Sequence, residues 1–125
     1  MAKNKIRVQL DAGRFYDITV ATNQRVVEVK KVYSNLNDGR IFDINANKKA
    51  IQELTPNAYT LYMYFVLKFP GYTEALSITN VRKSTKISEK GYYKAFDELV
   101  AQKYLVKKDS LDFDNFYVFY EAGLR

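Results

Sequence analysis

The sequence predicts an α+β fold from three observations. Residues in the first third alternate apolar and polar side chains with a period of two, broken by turn signals at Ala12-Gly13, Thr22-Asn23-Gln24 and Asp38-Gly39. From Thr55 onward the period becomes that of amphipathic helices. After Lys103 an aromatic-rich strand pattern returns. The expected organisation is an N-terminal antiparallel β lobe at 1–45, a connector at 46–53, and a unit of helices closed by a hairpin at 54–125.

The expected strands of the first lobe follow in order. Lys5–Asp11 sets Ile6, Val8 and Leu10 against Arg7, Gln9 and Asp11, the pattern of a half-buried strand. Tyr16, Ile18 and Val20 alternate again after the Ala12-Gly13 turn, so a hairpin is expected. Val26–Tyr33 is rich in β-branched residues, and Arg40–Ile44 reads as a short further strand. The result is an antiparallel meander of three or four strands. So small a sheet must pack on something, and the downstream helices are the expected partner. Asn45–Glu53 shows little apolar face beyond Ala50, Ile51 and Leu54, which suits a connector of one or two helical turns.

The second half opens on the strongest helix signal. Thr55 is expected to cap, Pro56 suits the first helical position, and Ala58, Leu61, Tyr62, Phe65, Val66 and Phe69 form one apolar face before Phe69-Pro70-Gly71 stops the helix. Thr73–Leu76 reads as an edge strand. Ser77 caps a short helix over 78–84 with Ile78 and Val81 inward, Thr85-Lys86-Ile87 turns the chain, and Ser88 caps a longer helix expected over Glu89–Tyr104. On that helix Tyr92, Leu99 and Val100 lie within about 60° of Phe96, Tyr93 sits at the margin, and Lys90, Gly91, Lys94 and Asp97 point away. Strands at Lys103–Lys108 and Phe116–Tyr120 then enclose Ser110–Asn115. This order is a helix-turn-helix followed by a wing. The full expectation is therefore an N-terminal antiparallel β-meander followed by a winged helix-turn-helix.

Charge points the same way. The 125 residues carry 20 Lys/Arg against 14 Asp/Glu, a net charge of +6. Residues 82–94 hold Arg82, Lys83, Lys86, Lys90 and Lys94 against Glu89 alone, so the basic cluster falls on the helix pair. A recognition helix reads the major groove with its N-terminal residues, and a small Gly91 would let the helix backbone come close. The candidate DNA-binding residues are thus Lys83, Lys86, Ser88, Lys90, Gly91, Tyr93 and Lys94. Asp97 and Glu98 would repel phosphate and confine contact to the first two turns. Asp109, Asp112 and Asp114 make the wing tip acidic, which turns it away from DNA or toward a protein partner.

The same composition excludes much. Cysteine and histidine are both absent, which removes disulfides, thiolate chemistry, Ser-His-Asp triads and histidine metal sites. Asp112-Phe113-Asp114-Asn115 echoes a calcium loop but lacks its glycine and its late bidentate glutamate. No carboxylate pair stands beside a glycine-rich phosphate loop, so no enzyme, no cofactor and no metal are expected. No apolar run long enough to span a membrane and no N-terminal apolar signal region occur, so a cytoplasmic protein is expected.

From Leu54 to Tyr120 the chain resembles the winged-helix domains of replication initiators and replisome organisers of Gram-positive phages and plasmids. The resemblance rests on Leu54-Thr55-Pro56-Asn57-Ala58, Ala75-Leu76-Ser77, Lys86-Ile87-Ser88 running into Tyr92 and Tyr93, and Leu99-Val100 with Lys103-Tyr104-Leu105 leading into the wing. It covers about half the chain, and bacterial transcription regulators share the same skeleton. It implies sequence-specific binding of double-stranded DNA, often as a homodimer, in replication initiation or transcription regulation. It carries over to Ser88, Lys90, Tyr93 and Lys94, with Lys86 in the turn. The alternative keeps the fold and changes the partner: a protein-interaction module or mobile-element inhibitor that docks on a host nucleic-acid enzyme through the N-terminal sheet or the acidic wing tip.

Overall fold

β1 (Lys3–Asp11) and β2 (Arg14–Ala21) pair antiparallel from Lys3↔Ala21 to Asp11↔Arg14, with one register shift between Gln9 and Asp11. The computed structural model describes residues 3–11, 14–21, 24–31, 43–68 and 70–124. The turn residues Ala12, Gly13, Thr22 and Asn23, the Asp38-Gly39 signal and the start of the expected Arg40–Ile44 strand lie outside them.

The meander stops at this hairpin. β3 (Arg25–Lys30) leaves it and enters a four-stranded mixed sheet of order β4-β3-β6-β5, with β4 at Thr73–Ala75, β5 at Leu105–Lys108 and β6 at Asn115–Tyr120. It runs antiparallel to β4 through Val26↔Ala75 and parallel to β6 from Arg25↔Asn115 to Lys30↔Tyr120. β5 and β6 form an antiparallel hairpin, Leu105↔Phe119 to Lys108↔Phe116. The physical reason lies in the strand itself. Val26, Val27 and Val29 are all buried, so both faces of β3 are covered, which is the character of a central strand. Val32 and Tyr33 of the expected longer strand lie outside the described residues. β4 is an edge strand, as its sequence predicts.

The connector is a helix. α1 (Ile44–Glu53) is capped by Asp43, whose carboxylate accepts from the Ala46 N–H at 2.8 Å. Only Ala46 and Ala50 are buried on it, and Ile44 and Ile51 remain exposed, so its apolar face is too thin to be read from periodicity. Ile44, expected to end a strand, opens this helix instead.

α2 (Pro56–Val66) buries Ala58, Leu61, Tyr62, Phe65 and Val66 as its spacing predicts; Phe69 lies outside the described residues. Thr55 does not cap it with its side chain. Its hydroxyl donates to Glu98 Oε1 at 2.7 Å and its N–H donates to Oε2 at 2.8 Å. The core forms where α2 meets the sheet: the Tyr62 ring packs edge-on to Tyr104 (5.3 Å between centroids) and Phe119 (5.5 Å), and Phe65 lies 5.1 Å from Phe119. Beneath it Lys31 Nζ stands 3.9 Å from Glu121 Oε2 with both side chains buried. The same oxygen accepts from the Asp43 N–H at 2.7 Å, and Tyr62 donates to the Glu121 carbonyl at 2.8 Å. Four chain segments thus meet at Glu121.

Candidate nucleic-acid interface

α3 (Ile78–Thr85) and α4 (Glu89–Ala101) carry the basic cluster, and each starts on the serine its sequence predicts. Ser77 Oγ accepts from Asn80 N at 3.4 Å and Ser88 Oγ from Gly91 N at 3.0 Å. Between them Lys86 adopts the left-handed conformation, φ 63° and ψ 14°, and its N–H closes the last turn of α3 on the Arg82 carbonyl at 2.8 Å. Ile87 is buried beyond it, and Arg82 Nε donates to its carbonyl at 3.3 Å. The longer helix ends at Ala101, short of the expected Tyr104, and Lys103 with φ 69° turns the chain into β5.

Tyr92, Phe96 and Leu99 form the inner face of α4 as the wheel predicts, but the face is wider and includes Ala95 and Gly91. Gly91 therefore does not point outward. A Cβ there would lie 2.8 Å from Ile87 Cγ2 and 2.9 Å from Asn57 Nδ2. The absent side chain lets α4 approach the turn and the start of α2, and its backbone is turned from any groove-facing position. An apolar wheel misses this because glycine and alanine add little to its count.

The remaining candidates are at the surface. Lys83, Lys86, Ser88, Lys90 and Lys94 are exposed, and Tyr93 is 41% exposed. Lys83, Lys86 and Ser88 share an open groove of about 490 Å³ with Thr79, Arg82 and Ile87. Lys90 and Lys94 do not line that groove; they stand on the outer side of α4. Tyr93 belongs to a second cavity and lies 5.6 Å from the guanidinium carbon of Arg25, which also sits 4.2 Å from the Phe96 ring. No family model, curated protein or solved structure matches this chain. The geometry alone describes the site.

Glu98 keeps its charge but is fixed in place, accepting from Thr55 with both carboxylate oxygens. Asp97 is exposed. At the hairpin between β5 and β6 the turn is held by Ser110, whose Oγ accepts from Asp112 N at 3.1 Å and Phe113 N at 3.2 Å. Asp109, Asp112 and Asp114 are exposed there, Leu111 is fully exposed, and Phe113 stacks on Phe116.

Arg25, whose charge suggests a free cation on the exposed face of the N-terminal sheet, is half-buried among these rings instead. It opens β3 in step with Val27 and Val29, two and four residues on, so a period of two would have put it on the core face. Burial raises the Tyr92 phenol above its ordinary range, and the Arg25 charge pulls in the opposite direction. Among the described residues no cluster of three or more carboxylates suited to a metal occurs, and no helix is long and apolar enough to cross a membrane.

Proposed function

We propose that this chain is a small non-enzymatic DNA-binding protein in which α3 and α4 act as a helix-turn-helix, β5 and β6 act as its wing, and double-stranded DNA is the ligand. The observation that carries the reading is the groove formed by Thr79, Arg82, Lys83, Lys86, Ile87 and Ser88: it has three cations and no carboxylate, and Lys90 and Lys94 extend the same charge along α4. A backbone phosphate is met by such a surface at low cost, because the lysines are already solvated and unpaired chains can turn toward it. Phage or plasmid replication and transcription control are the roles that the sequence resemblance suggests for it. A dimer would add the second half-site that one short recognition helix needs for specificity.

Neutralising four phosphates with Lys83, Lys86, Lys90 and Lys94 makes the affinity fall about a hundredfold between roughly 50 and 200 mM salt. Fluorescence anisotropy with a labelled duplex at several salt concentrations tests this. Lys90→Ala/Lys94→Ala is expected to weaken binding and reduce the log–log salt slope by about two. Unchanged affinity and slope in a folded double variant would sink the reading.

A second reading rests on the wing tip. Leu111 is fully exposed among three exposed aspartates, which suits a basic, partly apolar protein partner better than a phosphate chain.

A further inference from the structure

The cavity beside Tyr93 is built around a cation with no counter-ion among the described residues. It has a volume of about 360 Å³ and is lined by Gln24, Arg25, Leu76, Ile78, Tyr92 and Tyr93, none of them a carboxylate. Arg25 Nη1 is buried and has no hydrogen-bond partner among the described residues, an arrangement that a folded chain avoids unless something else completes it. The guanidinium is held in place by the Phe96 and Tyr93 rings, and its backbone by the Leu76 N–H, which donates to the Arg25 carbonyl at 2.8 Å. The other polar wall is already committed: Gln24 Nε2 donates to the Leu76 carbonyl at 2.9 Å and Gln24 Oε1 accepts from Ala21 N at 2.9 Å. The Tyr92 hydroxyl on the same wall hydrogen-bonds the Arg25 side chain, so the donor left over is Arg25 Nη1.

We propose that this cavity is a phosphate-binding site in which the Arg25 guanidinium takes two oxygens of the anion. A planar fork with fixed donors suits a phosphate better than a single ammonium does. Tyr93 is the wall between this cavity and the outer face of α4, where Lys90 stands one turn earlier. An anion on Arg25 thus lies next to the surface already assigned to DNA, and its source is a backbone phosphate of the duplex. Only that source rests on the DNA reading; the site itself does not. β3 would then contribute directly to a surface otherwise made by the C-terminal half.

The test combines two titrations of the full chain. Inorganic phosphate is titrated into ¹⁵N-labelled protein, and duplex binding is measured against salt, for wild type, Arg25→Gln and Arg25→Lys. Saturable shifts at Gln24, Arg25 and Tyr93 that vanish in Arg25→Gln, with a salt slope lower by about one, support the proposal in full. A lower slope without saturation by free phosphate also supports it and leaves the duplex as the only source. Saturation in wild type with no duplex binding keeps the site and discards the DNA reading. No saturation together with an unchanged slope overturns the proposal, whatever the affinity for DNA. Should Arg25→Gln fail to fold, Arg25→Lys decides: about tenfold weaker phosphate or duplex binding is expected from losing the fork, and wild-type affinity for both would overturn it.

Discussion

A methyl group added at Gly91 would come within 2.8 Å of a β-branched side chain, Ile87, and 2.9 Å of the exposed and movable Asn57. Two effects then compete. Alanine is better than glycine in a helix interior by about 1 kcal/mol, while overpacking costs about 1–3 kcal/mol. Ile87 cannot swing aside cheaply, so Gly91→Ala is expected to destabilise by about 1 kcal/mol, read as a lower urea midpoint, with the duplex affinity of the folded protein unchanged. Lost affinity at unchanged stability would mean that Gly91 faces the ligand after all. The lysines, the serine caps and the core aromatics of α4 were legible in the sequence because each has a side chain with one clear preference. Gly91 and Arg25 were not. The first acts through what it lacks, and the second depends on which strand lies next to it.

At the scale of elements, α2, α3, α4 and the β5–β6 hairpin follow their periodicity, whereas α1 and β3 do not. α1 buries two alanines and exposes two isoleucines, so its larger apolar side chains do not mark the inner side. β3 is apolar on both faces, and local alternation cannot tell a strand which distant partners will cover it. The turn between β5 and β6 is an element whose role can be settled by charge. If it lies close to DNA, Asp112→Asn/Asp114→Asn removes two repulsive charges and is expected to tighten duplex binding several-fold at low salt, with the gain fading as salt rises. Affinity equal to wild type at every salt concentration would put the tip out of reach of DNA and favour a protein partner for Leu111.

Across the whole molecule the tyrosines set the alkaline limit. Tyr16, Tyr62, Tyr64, Tyr72 and Tyr92 are all held above the ordinary phenol value of 10.0, with burial the largest cause in each. The unfolded chain releases these protons near pH 10 while the folded chain keeps them, so the stability they give is complete below that pH and falls above it. Lys31 works the other way. Burial lowers it from 10.5, against the opposing pull of Glu121, so its contribution rises with pH up to that value. Five groups against one predict a net loss, seen as a denaturation midpoint that drops above about pH 10 in step with tyrosinate absorbance. A midpoint that stayed level or rose there would contradict the burial of these phenols.

The place of β3 between β4 and β6 also bears on how the chain comes to be folded. Its parallel partner lies ninety residues further along, from Arg25↔Asn115 to Lys30↔Tyr120. Closing so long a loop is slow, because its entropy is lost before the contact rewards it. During synthesis β3 has only β4 to hold until residues 115–120 leave the ribosome, and the β5–β6 hairpin cannot form sooner. β3 and β6 therefore mature together. A nascent chain arrested before Tyr120 would hold α3 and α4 complete in sequence but without the strand that braces them.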